Sequence, residues 1–268
     1  MSQRVITIRA SSFGTFFDCA LRFEAEQILK RMKRLALRTW LGSSIHHATA
    51  VYDQAKLDGR PISVDDAAGE LVDMLWSPDE ALERDPKFSI QQAERIALTL
   101  LSKYCREIAP TKNYLSVEMP LKPMDIDIGD GWTIRFTGTM DRARVSLSLR
   151  GDILDDIKSG ARLFDQEGNV IVKARAAQVG IYQILKEGTD GRPTVGAQIT
   201  ALQTSTEPKV GMSHVFDAKA QLLGDTTRPG LIEIAGKMIK AGVFPPNPSS
   251  YLCSKKFCAN WDYCAYHE

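Results

Sequence analysis

Apolar and charged positions mix at helical spacing from Thr15 to Arg38, and after Gly42-Ser43-Ser44 the residues Ile45, Ala48, Val51, Tyr52 and Ala55 recur on one face. This spacing predicts helices, the second of which Gly59-Arg60-Pro61 stops. Two more helical stretches follow, one after Val64 and one from Ile90 to Ile108, and Pro110 closes a region read as mostly helical. From Tyr114 the period changes. Trp132, Ile134, Phe136, Gly138 and Met140 alternate with Thr133, Arg135, Thr137, Thr139 and Asp141, a strand with one mainly apolar face. Val145 to Leu149 continues it, Arg150-Gly151-Asp152 signals a turn, and Ile153 to Lys158 reads as the antiparallel return. Helical spacing resumes from Lys173 to Lys186, followed by expected strands at Thr194 to Leu202 and Met212 to Phe216 and a helix from Leu231 to Lys240. Pro245, Pro246 and Pro248 then lead into a cysteine-rich tail. The expected class is α/β.

Composition narrows the picture. A chain of 268 residues, 44% hydrophobic, can bury a core of its own, which excludes disorder, collagen and coiled coil. No apolar run reaches the roughly 18 residues of a membrane span, and Met1 to Ala10 lacks the apolar stretch of a secretory signal, so a cytoplasmic location without a membrane partner is expected. A net charge of +1 gives no whole-molecule field for nucleic acid, and any such binding must rest on a local patch. Lys30, Arg31, Lys33, Arg34 and Arg38 form one such run, which reads equally as a solvated helix face; Lys255 and Lys256 lie in the tail. Five cysteines, three of them within Cys253-x4-Cys258-x5-Cys264, are no secreted disulfide framework, and clustered thiols in a reducing compartment point to metal ligation. Cys105, among Leu100, Leu101 and Ile108, reads as a buried apolar residue.

The chemistry concentrates at Asp156-Ile157-Lys158. At a strand end the two-residue period puts Asp156 and Lys158 on one face, with Asp155 and Ile157 on the other. Asp141, fifteen residues upstream on the polar face of the preceding strand, can be brought beside Asp156 by a hairpin. Two carboxylates near an ammonium suit Mg²⁺ or Mn²⁺, with the lysine placed to position water or stabilise phosphoryl charge. A solvated hairpin shows the same residues, so the wider set matters. His46 lies on an upstream helix, and Gln178 and Tyr182 lie four residues apart on a downstream one.

Gly42-Ser43-Ser44-Ile45-His46, Gly138-Thr139-Met140-Asp141, Asp156-Ile157-Lys158-Ser159-Gly160 and Gln178 to Tyr182 together resemble the ordered motifs of the PD-(D/E)xK nuclease superfamily, in its RecB-type branch. The resemblance implies a core of central mixed sheet flanked by helices. It further implies that His46, Asp141, Asp156 and the carbonyl of Ile157 bind catalytic Mg²⁺ or Mn²⁺, that Lys158 orients or activates the attacking water, and that Gln178 and Tyr182 contact DNA. A partly buried helix face is the other reading of that last pair. Met140 stands where the superfamily's name has proline, and His47 competes with His46, although the offset from Gly42 matches the family at His46. Glu118 occupies the place of an acidic residue often found on the family's first core strand, and reads otherwise as an ordinary outward-facing residue.

Cys19 before the histidine motif and Cys253, Cys258 and Cys264 after the core resemble the iron-sulfur staple of RecB-type nucleases such as the AddB subunit and the CRISPR-associated adaptation nuclease. The resemblance implies a [4Fe-4S] cluster, with structural zinc as the competing reading and the four-residue first gap as a departure. Taken together, a single nuclease domain is expected, with a helical part over 1–110, a nuclease core over 111–218 and a C-terminal helix and cluster segment over 219–268. Its expected reaction is hydrolysis of DNA, as an exonuclease on single strands or ends, in recombination, repair, CRISPR adaptation or phage DNA metabolism. A flap-type endonuclease and a non-cleaving DNA-binding module are the alternatives. No Walker A pattern occurs, so a helicase or recombination partner would be a separate chain.

Overall fold

The computed structural model describes residues 4–78, 80–83 and 85–267. It begins with a strand that the helical reading of the first 110 residues misses. This β1 (Arg4–Arg9) places Ile8 in the core and leads directly into α1 (Ala10–Asp18) and, past Cys19, α2 (Ala20–Phe23), which a π-helical turn prolongs to Ile28. The helix expected up to Arg38 stops there: Lys30 at φ 56° turns the chain, and the basic stretch through Leu35 has no regular structure. Three helices follow, α3 (Leu37–Leu57), α4 (Val64–Trp76) and α5 (Ile90–Lys103), the last continued by a π-helical turn to Ile108. Capping boxes start two of them, Ser63 with Asp66 and Ser89 with Gln92, each satisfying two backbone amides left free at a helix start.

The remaining elements are β2 (Ser116–Gly129), β3 (Trp132–Ser146), β4 (Gly151–Gly160), α6 (Ala176–Asp190), β5 (Thr194–Gln203), β6 (Lys209–Met212), α7 (Lys219–Leu223) and α8 (Leu231–Ala241). The last strand lies earlier than expected; Phe216 only bridges to Ala197. One mixed six-stranded sheet results, with β1, β3, β4, β5 and β6 in order and β2 on the far edge of β3. The β3–β4 and β2–β3 pairs are antiparallel, and the β1–β3 and β4–β5 pairs are parallel.

Two apolar layers sandwich the sheet. One face packs Leu154, Ile134 and Phe136 against Phe13, Val179, Leu185 and Ile232 from α1, α6 and α8. The other packs Ile157 and Leu202 against Leu41, Ile45, Leu71 and Leu100 from α3 to α5. Alternate β4 residues thus enter opposite cores, as the two-residue period requires. Past α8 the tail folds back on the N-terminal helices: the Leu21 amide donates to the Pro245 carbonyl at 3.3 Å, the Asn247 amide to the Asp18 carbonyl at 2.8 Å, and Ser250 Oγ to the Asp18 carboxylate at 2.8 Å.

Candidate functional site

One edge of β3 is shared by two strands. Residues 132–137 pair with β1 and residues 142–146 with β4, so the four residues Gly138, Thr139, Met140 and Asp141 lie where neither runs alongside. β1 and β4 approach this gap from opposite ends with their C-terminal residues, Arg9 and Lys158, and both face the same cleft. Gly138 is required there, since a Cβ on it would stand 2.6 Å from the Tyr182 ring of α6. Gly42 does the same for α3, where a Cβ would lie 2.6 Å from Ser159 Oγ. The glycine lets α3 approach the end of β4 and brings His46, one helical turn on, over the gap.

Main-chain pairing of β3 with β4 ends at Arg142 and Asp155, which leaves Asp141 and Asp156 as the next opposed pair. There the Asp141 carboxylate replaces a backbone acceptor: its Oδ2 accepts the Ile157 amide at 2.7 Å and lies 2.9 Å from His46 Nε2. Asp156 Oδ1 accepts from Lys158 Nζ at 2.7 Å and, more weakly, from Gln178 Nε2 at 3.4 Å. Asp156 Oδ2 is buried with no hydrogen-bond partner among the described residues. His46, and not His47, therefore meets the carboxylates; His47 lies 3.6 Å from Glu70. Gln178 and Tyr182, expected at the DNA, are 9% and 6% exposed, bonded to each other at 3.3 Å, and stand behind Asp156.

Charge is the dominant feature of the site. Burial, with the neighbouring Asp141 adding to it, pushes the Asp156 carboxyl up to about 6 against the pull of Lys158. Burial opposes ionisation of Asp141 as well, yet the His46 hydrogen bond, the Lys158 charge and the Ile157 amide together hold it below the usual carboxylate range. On His46, burial favours the neutral ring, and the Asp141 and Glu118 carboxylates outweigh it to raise the imidazole. Arg9, Arg38, Lys158 and Arg175 line the cleft outside this cluster, a positive rim for an anionic polymer.

Glu118 belongs to the cluster. His46, Glu118 and Asp141 each offer a ligand atom, all within 4.8 Å of one another. The pairs Val117–Arg142 and Met119–Met140 set Glu118 opposite Asp141, and Glu118 takes φ 47°, a strained conformation for a side-chain-bearing residue. Arg142, fully buried, holds it there: its Nη1 donates to Glu118 Oε1 and to the Asp141 carbonyl, both at 2.8 Å, and its Nε to Asp53 Oδ2 at 2.7 Å. Sequence reasoning left Glu118 undecided and overlooked Arg142. The arginine's position beside Asp141 was visible, but its burial was not.

Cys19, Cys253, Cys258 and Cys264 are unbridged and line one pocket with Asp18, Arg22 and Asn260. Burial, then the nearby Cys19 and Cys264, push the Cys253 thiol up, and burial pushes Cys258 up. Arg22 Nη1 is buried there without a hydrogen-bond partner among the described residues, 3.9 Å from Asp18. Cys105 is buried elsewhere, its thiol pushed up to about 12 by burial and by Asp53. Of the basic run, Arg31 lies 4.1 Å over the Tyr263 ring and donates to Asn260, Lys33 donates to the Lys255 carbonyl, and Arg38 reaches the cleft. Part of the run thus fastens the tail.

Carboxylates and a lysine on the strands of a mixed sheet, with an imidazole from the facing helix, set in a basic cleft, have the donor chemistry of a metal-dependent nucleic-acid hydrolase. Comparison with known proteins makes the class definite: the chain belongs to the PD-(D/E)XK nuclease superfamily, which it matches over residues 8–268. A crystal structure of a candidate exonuclease from Eubacterium rectale shares the fold at TM-score 0.54 and 14% identity, covering 92% of this chain and 86% of that one. A structure described as SSO0001 aligns over 97% of this chain and 85% of its own at 11% identity, with a TM-score of 0.44. No curated protein matches the chain. Nucleases of this superfamily use divalent metals, and the residues present fit one: hard oxygen donors, one imidazole and a buried carboxylate oxygen left without a partner. Among the described residues no helix is long and apolar enough to cross a membrane.

Proposed function

We propose that the protein is a RecB-type DNA nuclease, an exonuclease on single strands or DNA ends, in which His46, Asp141, Asp156 and the Ile157 carbonyl hold Mg²⁺ or Mn²⁺, with Glu118 beside them. The bound metal would supply Lewis-acid stabilisation of phosphate charge and acidify a water. The chain's own residues do the rest. Arg9, Arg38 and Arg175 bind phosphates, and Lys158, anchored on Asp156, donates a hydrogen bond to the attacking water or to the scissile phosphate. Gln178 steadies Asp156 from behind, so its influence on DNA is exerted through the carboxylate. Water oxygen bonds to phosphorus as the bond to the leaving sugar oxygen breaks, and the water proton passes by way of solvent to that oxygen. The observation that carries this reading is the convergence of His46, Asp141, Asp156 and Lys158 at the gap in β3.

The same proposal takes residues 1–268 as one nuclease domain whose N-terminal part and cysteine segment are clamped by a [4Fe-4S] cluster on Cys19, Cys253, Cys258 and Cys264. One observation supports the cluster: its pocket carries a cation, Arg22, whose Nη1 has no hydrogen-bond partner among the described residues and suits an anionic thiolate cluster. A helicase or recombination partner would act as a separate chain.

Purified anaerobically, the protein is expected to degrade end-labelled single-stranded DNA with Mn²⁺ or Mg²⁺ and to stop with chelator. Lys158→Ala should abolish cleavage while the circular-dichroism spectrum still shows a folded protein. Cleavage by the variant at the wild-type rate removes the mechanism. A colourless preparation containing zinc and no iron removes the cluster.

A further inference from the structure

Several rings on the cysteine segment are exposed, Tyr263 and Tyr266 among them, and of these Tyr251 and Phe257 lie against each other. They are 68% and 40% exposed, with centroids 6.1 Å apart and planes inclined by 34°. Folding alone gives little reason for this, since an aromatic ring stabilises a fold chiefly through the area it buries. Trp261 of the same segment shows the contrast: it stacks at 3.9 Å on His267.

Each of these two rings has a cation beside it. Arg162 lies 4.9 Å from the Tyr251 ring and Lys256 5.7 Å from that of Phe257. Neither cation lines the cleft itself, but each neighbours a residue that does. Arg162 follows the end of β4, three residues after Ser159, which lines the cleft. Lys256 shares Asp85 with Arg38, at 3.6 Å and 3.4 Å, and Arg38 lines the cleft as well. Aromatic faces interleaved with basic side chains and continuous with a basic cleft are how proteins hold single strands: bases stack on the rings while phosphates meet the cations. A duplex keeps its bases stacked internally and offers these rings nothing.

We infer that Tyr251 and Phe257, with Arg162 and Lys256, form a stacking platform for single-stranded DNA at the border of the cleft. The inference rests on the reading of the substrate as DNA and narrows it to the unpaired strand. The cysteine segment then has a second task besides joining the chain ends, which is to hold the strand whose phosphates meet Arg38 and Lys158.

The test uses the full chain without added divalent metal and measures fluorescence anisotropy with labelled oligo(dT), an abasic strand of equal length and a blunt duplex. Wild-type protein should prefer oligo(dT) to the abasic strand by about tenfold or more. Tyr251→Ala/Phe257→Ala should lose about that factor on oligo(dT) and less than about twofold on duplex, and Tyr251→Phe/Phe257→Tyr should retain it. Equal wild-type affinity for normal and abasic strands overturns the platform, whether or not the alanine variant folds. So does a loss of equal size on single strand and duplex. A chain that cuts DNA but ignores missing bases keeps the nuclease and loses the platform; one that senses the bases but never cuts does the reverse.

Discussion

Asp155 and Asp156 are neighbours on β4, equally buried, and opposite in circumstance. Asp155 faces the α3–α5 side, where Lys112 Nζ reaches its Oδ2 at 2.7 Å, Arg144 Nε lies 3.2 Å from both oxygens, and Gln198 completes the group. Two cations serve one carboxylate. On the other face Asp156 shares Lys158 with Asp141, and one of its oxygens has no partner among the described residues. An orphan oxygen alone does not mark a site, for Asp53 Oδ1 is also unpartnered, but the other oxygen of Asp53 is held by Arg142 and Tyr104. What distinguishes the Asp156 face is a surplus of buried negative charge. Structural carboxylates are matched by the protein's own cations, whereas the surplus at the gap in β3 measures the positive charge a ligand must bring.

Neutralising the two aspartates breaks this comparison most severely if it is wrong. Asp155→Asn leaves Lys112, itself 4% exposed, without its counter-charge and should lower stability by about 3–5 kcal/mol in urea denaturation. Asp156→Asn relieves repulsion with Asp141 and should leave the metal-free protein at least as stable as wild type. Metal-dependent cleavage should fall by about a hundredfold or more in the same variant, at least what is lost with an outer-shell partner. An Asp156→Asn protein that unfolds, or an Asp155→Asn protein as stable as wild type, would show that the two faces do not differ as argued.

Much of this site was legible in the sequence because two-residue periodicity fixes faces. The spacing set Asp156 and Lys158 together and Asp155 apart, and a turn, which the structure places at 147–150 instead of at Arg150-Gly151-Asp152, returns β4 so that Asp141 meets Asp156. Periodicity cannot show partners distant in sequence. β1 was missed because six residues at the chain start carry little pattern of their own, and its place is fixed by parallel pairing to residues more than a hundred positions away. Glu118 was left open for a related reason. Its backbone at φ 47° breaks the alternation, and only Arg142 from the neighbouring strand fixes where its carboxylate points. The break in helix after Ile28 was equally hidden, since Lys30 at positive φ is nothing a lysine advertises.

Metal binding sharpens the comparison at the next scale. If the surplus charge is the binding element, Mn²⁺ at about a hundred times its dissociation constant should stabilise wild-type protein by about 2.7 kcal/mol, read as a rise in melting temperature. His46→Ala and Asp156→Asn should lose most of that gain. A surface control such as Asp65→Asn, on the exposed start of α4, should keep it. An equal rise in all four proteins would mean the ion binds elsewhere.

The smallest effect is a dependence on pH in the absence of metal. A carboxyl raised from the ordinary range to about 6 by burial contributes most to stability while it is protonated in the unfolded chain too, below about pH 4. That contribution is lost as pH climbs through about 6, where the folded protein must accept the charge. Asp141, held low, acts the other way: its stabilisation is present above the ordinary carboxylate range and lost only as pH falls through its depressed value. Between about pH 5 and about pH 7, then, Asp156 takes on its charge, and Asp156→Asn should gain about 1 kcal/mol on wild type across that interval. Saturating Mn²⁺ should reverse the slope for wild type, because the ion binds the carboxylate and rewards its ionisation. A metal-free difference between wild type and Asp156→Asn that stays flat with pH would mean that Asp156 is already charged at pH 5, and the surplus on its face would be compensated by the protein itself.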